Sequence, residues 1–137
     1  MNIAIVGATG NVGRKILEVL ENKSFPVDSL YLVASSKSAG SKLKFKGKEI
    51  EVENLETFDF SKSEITFFSA GGKISEKYAP LAAKHSLVID NSSYFRMDPD
   101  VPLIVPEVNS HDLKNYKKKN IIANANCSVI PLVVALK

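Results

Sequence analysis

The 137-residue sequence predicts an α/β fold, a Rossmann-type, doubly wound and mostly parallel sheet. Three observations lead there. Continuous apolar runs, the mark of strands buried on both faces, alternate with segments of helical periodicity. The first run passes directly into Gly7-Ala8-Thr9-Gly10-Asn11-Val12-Gly13, a glycine-rich turn between a strand and a helix. Polar loops then follow the apolar runs at 7–13, 35–41, 69–73, 91–96 and 124–128. In open α/β sheets that carboxyl edge is where ligands bind.

Taken in order, Asn2 to Val6 is the first buried strand. Val12, Ile16, Val19 and Leu20 recur at i, i+4, i+7 and i+8, which predicts an amphipathic helix over about residues 11–21 with these four on its apolar face. Asn22 and Pro26 end it, and Leu30 to Ala34 form a second strand, completing a right-handed crossover. Leu43 and Phe45, then Ile50 and Val52, alternate with lysine and glutamate across Lys46-Gly47-Lys48, the pattern of an exposed hairpin. Ile65 to Ala70 is a buried strand closed by Gly71 and Gly72. Residues 74–85 suit a helix, which Pro80 should kink unless it sits near a break. Leu87 to Asp90 and Ile121 to Ala123 are the last strands, and Val129 to Leu136 is a helix apolar almost all round, with Pro131 tolerated in its first turn.

Composition narrows the function. Apolar residues make up 45% and charged residues 24%, the balance of an ordinary globular protein, and no window reaches the ~18 apolar residues of a spanning helix. No secretory leader follows Met1, and Cys127 is the only cysteine, so a reducing, cytoplasmic setting without an internal disulfide is expected. The net charge of +3 comes almost wholly from lysine. The basic runs at 42–48 and 117–119 read as solvated surface, with no nucleic-acid motif and no membrane segment. One cysteine and the distant His85 and His111 have no metal-ligand spacing, and both histidines read as surface residues.

Gly7, Gly10 and Gly13 have the G-x-x-G-x-x-G spacing in the context a dinucleotide site requires: glycine lets backbone N–H groups approach a pyrophosphate at a helix N-terminus. The alternative is a turn needed only for helix-sheet packing. After the second strand, where an NAD site places an acid, the chain has Ser35-Ser36-Lys37-Ser38, so hydroxyls and a cation favour the 2′-phosphate of NADP. Cys127 ends the polar turn Asn124-Ala125-Asn126-Cys127-Ser128, where an oncoming helix favours a thiolate; the alternative is a small buried hydrophobe. Arg14 and Arg96 are the only arginines, the residue type that grips phosphate as a fork.

With the glycine loop, the serine-lysine loop, Asp90-Asn91-Ser92-Ser93-Tyr94-Phe95-Arg96, Pro106-Glu107-Val108-Asn109 and the Cys127 turn all in order, the chain resembles aspartate-β-semialdehyde dehydrogenase over its whole length. The resemblance implies that Cys127 attacks the acyl carbon of β-aspartyl phosphate and forms a thioester, that Arg96 and Asn126 hold the phosphate, and that NADPH then reduces the thioester to the semialdehyde. It places Thr9, Gly10, Asn11 and Val12 at the dinucleotide and Lys37 and Ser38 at its 2′-phosphate; Gly7, Gly13, Ser35 and Gly71 are expected beside them at the cofactor. The implied pathway is amino-acid biosynthesis leading to lysine, diaminopimelate, threonine and methionine. Members of that family are longer homodimers with a general-acid/base histidine, a glutamine and amino-acid-binding residues. Residues 1–127 are therefore expected to be the dinucleotide-binding domain and 128–137 the start of a helix leading to a second, substrate and dimerisation domain. The chain is expected to be a fragment that does not turn over alone and that self-associates through 129–136.

The nearest rival is an N-acetyl-γ-glutamyl-phosphate reductase or another acyl-phosphate reductase. A short-chain dehydrogenase needs Tyr-x-x-x-Lys, which none of Tyr31, Tyr78, Tyr94 and Tyr116 supplies. From another class comes a non-catalytic nucleotide-binding domain with a structural Cys127; a scaffold binding nothing leaves the glycine loop and Arg96 unexplained.

Overall fold

In the computed structural model, which describes residues 1–137, β1 (Asn2–Val6) is the strand on which the sheet turns. The chain continues through α1 (Asn11–Asn22), β2 (Ser29–Ala34), β3 (Lys42–Phe45), β4 (Lys48–Asn54), β5 (Ile65–Phe68), α2 (Gly72–Ala82), β6 (Leu87–Asp90), β7 (Leu103–Ile104), α3 (Pro106–Asn109), β8 (Ile121–Asn124) and α4 (Val129–Leu136). Strand order is β3-β4-β2-β1-β5-β6-β8-β7. Every neighbouring pair is parallel except the β3–β4 hairpin. From β1 the chain first winds outward to β2, then returns to β5 on the other side. The crevice this reversal opens lies above β1 and β5, at their carboxyl ends.

Helices pack on both faces, as parallel strands require. Ile3, Ile5, Leu32 and Val52 face α1 and bury its Leu17 and Leu20; Ala4, Val6, Phe68 and Val88 face the other way and bury Ala79 and Ala82 of α2. No helix is long and apolar enough to cross a membrane.

Three expectations change. The buried face of α1 is Gly13, Leu17 and Leu20, whereas Val12 and Val19 are 51% and 44% exposed. The cause is Gly13, whose close approach to the Gly7 carbonyl sets the rotation of the helix. The hairpin is not wholly exposed: β4 also pairs in parallel with β2, and Phe45 and Val52 are buried. The helix expected at 74–85 runs instead from Gly72 to Ala82, so Pro80 lies on its exposed side in the last turn, near the break.

Candidate active site

Two clefts, each of about 280 Å³, open at the carboxyl edge of the sheet, and the glycine loop separates them. Gly7, Thr9, Gly10, Ser35, Ser69 and Ala70 line the first. Gly7 has φ +86°, a left-handed conformation, and a Cβ there would lie 2.8 Å from the Ser69 carbonyl carbon. Its N–H and that of Ala8 both donate to the Val33 carbonyl, at 2.8 and 3.2 Å, so the loop is tied to the end of β2. The N–H groups of Asn11, Val12 and Gly13, in the first turn of α1, have no acceptor in the protein, and no side chain caps the helix. They form a ready anion site.

The glycine loop fits a dinucleotide for a further reason. Gly10 has φ −77°, open to any residue, and a Cβ there would meet only the Gly7 carbonyl oxygen at 3.4 Å, so the protein itself does not require glycine at this position. A ligand that must approach the backbone does. No carboxylate lines the cleft, and Ser35 supplies a hydroxyl at the end of β2. The N–H groups of Ser38 and Ala39 donate to the Ser35 carbonyl at 2.9 and 3.0 Å, making a turn from which Lys37 projects, exposed and without an ion pair. Lys37 and Ser38 therefore stand beside the cleft and not among its lining residues. Gly71, at φ +90°, begins the turn into α2 next to the lining residues Ala70 and Ile74. Leu55, Ser69 and Ile74 were not identified as single residues from the sequence; Leu55 arrives by a hydrogen bond to the Ala34 carbonyl that leaves no sequence pattern.

Val12, Asn91, Arg96, Asn124, Asn126 and Cys127 line the second cleft, so one loop presents Gly10 to the first and Val12 to the second. Cys127 is exposed in this chain and not packed as a small buried hydrophobe. Asn126 builds the turn into α4: its side-chain oxygen accepts from Ser128 N–H at 2.9 Å, and its carbonyl accepts from Val129 and Ile130 at 2.9 and 3.1 Å. Cys127 thus lies in the turn that leads into α4, one residue ahead of its N-cap Ser128, near the helix end whose N–H groups favour negative charge.

Arg96 is half-buried and held by main-chain carbonyls. Its Nε donates to Asn124 O at 2.9 Å and its Nη2 to Asn91 O at 3.2 Å. Asn124 Nδ2 in turn donates to Asn91 Oδ1 at 2.6 Å, which joins the ends of β6 and β8 behind the guanidinium. No carboxylate neutralises Arg96, and it is the one charged residue lining the cleft. The remaining guanidinium N–H groups are left for an anion. Tyr94 fastens the same loop to α2 by donating its hydroxyl to Glu76 at 3.1 Å, a bond that raises the phenol above its ordinary pKa.

Residues 2–116 match the family described as semialdehyde dehydrogenase, NAD binding domain. The chain is 53% identical to aspartate-semialdehyde dehydrogenase 2 of Vibrio cholerae over 99% of its own length and 41% of that protein's, and 59% identical to the Aquifex aeolicus aspartate-semialdehyde dehydrogenase over 98% of its length and 40% of that protein's. Both alignments run past Cys127. The chain thus spans about two fifths of the curated relatives it matches. The crystal structure of the Vibrio cholerae enzyme complexed with ASA superposes with a TM-score of 0.97 over 99% of this chain and 45% of that one. A Candida albicans aspartate semialdehyde dehydrogenase with NADP, 27% identical, superposes with a TM-score of 0.74 over 100% of this chain and 46% of that one. By fold, glycine loop and sequence, the chain belongs to the semialdehyde dehydrogenase family, and residues 2–116 carry its NAD binding domain.

Proposed function

We propose that the chain supplies the cofactor site and the nucleophile of an NADP-dependent aspartate-semialdehyde dehydrogenase of cytoplasmic amino-acid biosynthesis. The observation that carries this reading is the sharing of one glycine loop by two clefts, a dinucleotide cleft and one that pairs Cys127 with Arg96. The Cys127 thiolate attacks the acyl carbon of β-aspartyl phosphate; the new S–C bond forms as the C–O bond to phosphate breaks, and the electron pair leaves with phosphate. Arg96 and the free side-chain N–H groups of Asn126 hold the phosphate oxygens and stabilise the departing charge. When bound, the dinucleotide supplies the hydride that takes the thioester to the aldehyde. The first turn of α1 binds its pyrophosphate, Ser35, Lys37 and Ser38 take the 2′-phosphate, and Gly71 lies at the cofactor side. The division between cofactor unit and catalytic helix falls at Cys127. By itself the 137-residue chain binds cofactor, forms no product and self-associates.

The test is whether ligand in the first cleft is felt in the second. NADP should bind more tightly than NAD in calorimetry, Lys37→Ala should erode that preference, and bound NADP should slow alkylation of Cys127. Adenosine 2′,5′-bisphosphate, which lacks the nicotinamide half, should bind without protecting the thiol. NADP that binds without protecting Cys127, or fails to bind, overturns the reading.

A further inference from the structure

Asp90, the last residue of β6, is 0% exposed and has no cationic partner. Three neutral donors meet it: Ser75 Oγ at 2.7 Å and Ser92 N–H at 3.0 Å on Oδ1, and Ser92 Oγ at 2.6 Å on Oδ2. Its in-register neighbours across the sheet are Phe68 and Ala123, both buried and apolar. An apolar side chain would suit that position, and a buried carboxyl is costly there unless its oxygens are hydrogen-bonded. Stability alone does not explain a carboxylate. Its three bonds are directional, and the two from Ser92 lead toward the cysteine cleft.

Two of the three grip Ser92, and Ser92 Oγ also accepts from Tyr94 N–H at 3.2 Å, so Asp90 holds residues 92 and 94 at once. On one side of this grip is Asn91, whose carbonyl accepts from Arg96 and whose side chain accepts from Asn124. On the other is Arg96 itself, whose N–H returns to Ser93 O at 3.5 Å. We propose that Asp90 is a positioning residue, which, through Ser92, sets the turn 91–96 so that the Arg96 guanidinium faces the nucleophile cleft. The remaining bond, to Ser75, only anchors the assembly to α2. This inference rests on the reading that Arg96 presents its charge beside Cys127.

Cys127, the only thiol, reports on that charge without turnover. The measurement is its alkylation rate by anionic iodoacetate divided by that for neutral iodoacetamide, a ratio insensitive to thiolate fraction. Arg96→Gln should lower the ratio roughly three- to fivefold, the effect of one charge across a solvated cleft. Asp90→Ala should lower it nearly as far, Ser92→Ala partway, and Ser75→Ala not at all, although each of the three lowers the melting temperature. A ratio that falls with Arg96→Gln but stays at the wild-type value in folded Asp90→Ala and Ser92→Ala overturns the positioning role alone. Should Asp90→Ala not fold, Ser92→Ala decides. A ratio unmoved by Arg96→Gln overturns the underlying reading of the cleft.

Discussion

A methyl group added at Gly13 would lie 2.3 Å from the Gly7 carbonyl oxygen and 2.7 Å from Ala8 Cα, whereas one added at Gly10 meets nothing nearer than 3.4 Å. The two glycines therefore serve different ends. Gly13→Ala must push α1 away from the end of β1 and should destabilise the fold by about 1–3 kcal/mol, as overpacking does. Gly10→Ala should leave thermal unfolding almost unchanged and remove most of the NADP affinity, because its methyl group enters the space of the ligand. Thermal melts and calorimetry on the two variants test the contrast; equal loss of stability would refute it. The spacing of the glycines made the site legible in the sequence. It could not tell packing from ligand approach, since spacing carries no distances. Arg96 was legible as a rare cation in a polar loop. The Asn91 and Asn124 carbonyls that aim it were not, because any residue type offers the same backbone oxygen.

The turn into α4 is held by a side chain that stands next to the nucleophile. Asn126→Ala removes the acceptor for Ser128 N–H and should weaken that turn by about 0.5–1.5 kcal/mol, as the loss of one hydrogen bond does. Faster amide exchange confined to residues 127–131 should accompany it. Farther along the sheet, the approach to β8 is clamped by Lys119, which donates to Asp98 at 2.6 Å. That hydrogen bond lowers the Asp98 carboxyl below its usual pKa and raises the Lys119 ammonium above its own. The Asp98 contribution is present above the unfolded value near 3.9 and is lost as pH falls through the lower folded value. The Lys119 contribution is present below about 10.4 and is lost as pH rises through its raised value. Lys119→Ala should therefore lower the melting temperature slightly between about pH 5 and 9, and the difference should shrink as the solution is acidified below about pH 3.9 and Asp98 takes up its proton. A difference that persists in acid would assign the effect to the packing of the lysine stem. Among the elements, the long strands and helices were legible and the short ones were not. Residues 103–104 make only two ladder positions, too few for a period, and the 3-10 turns at Phe60–Lys62, Tyr94–Met97 and Ser110–Lys118 have no face to repeat. The rotation of α1 was ambiguous because 12-16-19 and 13-17-20 satisfy the same i, i+4, i+7 spacing; Leu20 alone belongs to both readings.

The sheet as a whole is covered unequally. On the face that α1 occupies, Ile3 and Ile5 are buried, but the same face continues through Ile65 and Phe67 of β5, Leu87 and Ile89 of β6 and Ile122 of β8, all only partly covered. Val12, Ile16 and Val19 border it with Phe67 as an apolar groove of about 240 Å³, and α4 adds Leu132 and Leu136, 56% and 76% exposed. The apolar character of residues 129–136 was legible from their sequence. The open sheet face was not, because the unbroken apolar runs of β5 and β6 are those of strands covered on both faces. An apolar surface that extends from helix to sheet to helix draws a partner, and in a solution of this chain alone the partner is a second copy. Sedimentation velocity should show concentration-dependent self-association with dye binding to exposed apolar surface. Val19→Lys should weaken it roughly tenfold, the equivalent of the ~1.5 kcal/mol gained by burying one valine. Leu132→Lys separates the contributions of groove and helix, since only contacts through α4 are lost with it. If Leu132→Lys abolishes association and Val19→Lys leaves it intact, the helix alone is sticky and the open sheet face is satisfied by solvent; the reverse result makes the sheet face the surface that seeks cover.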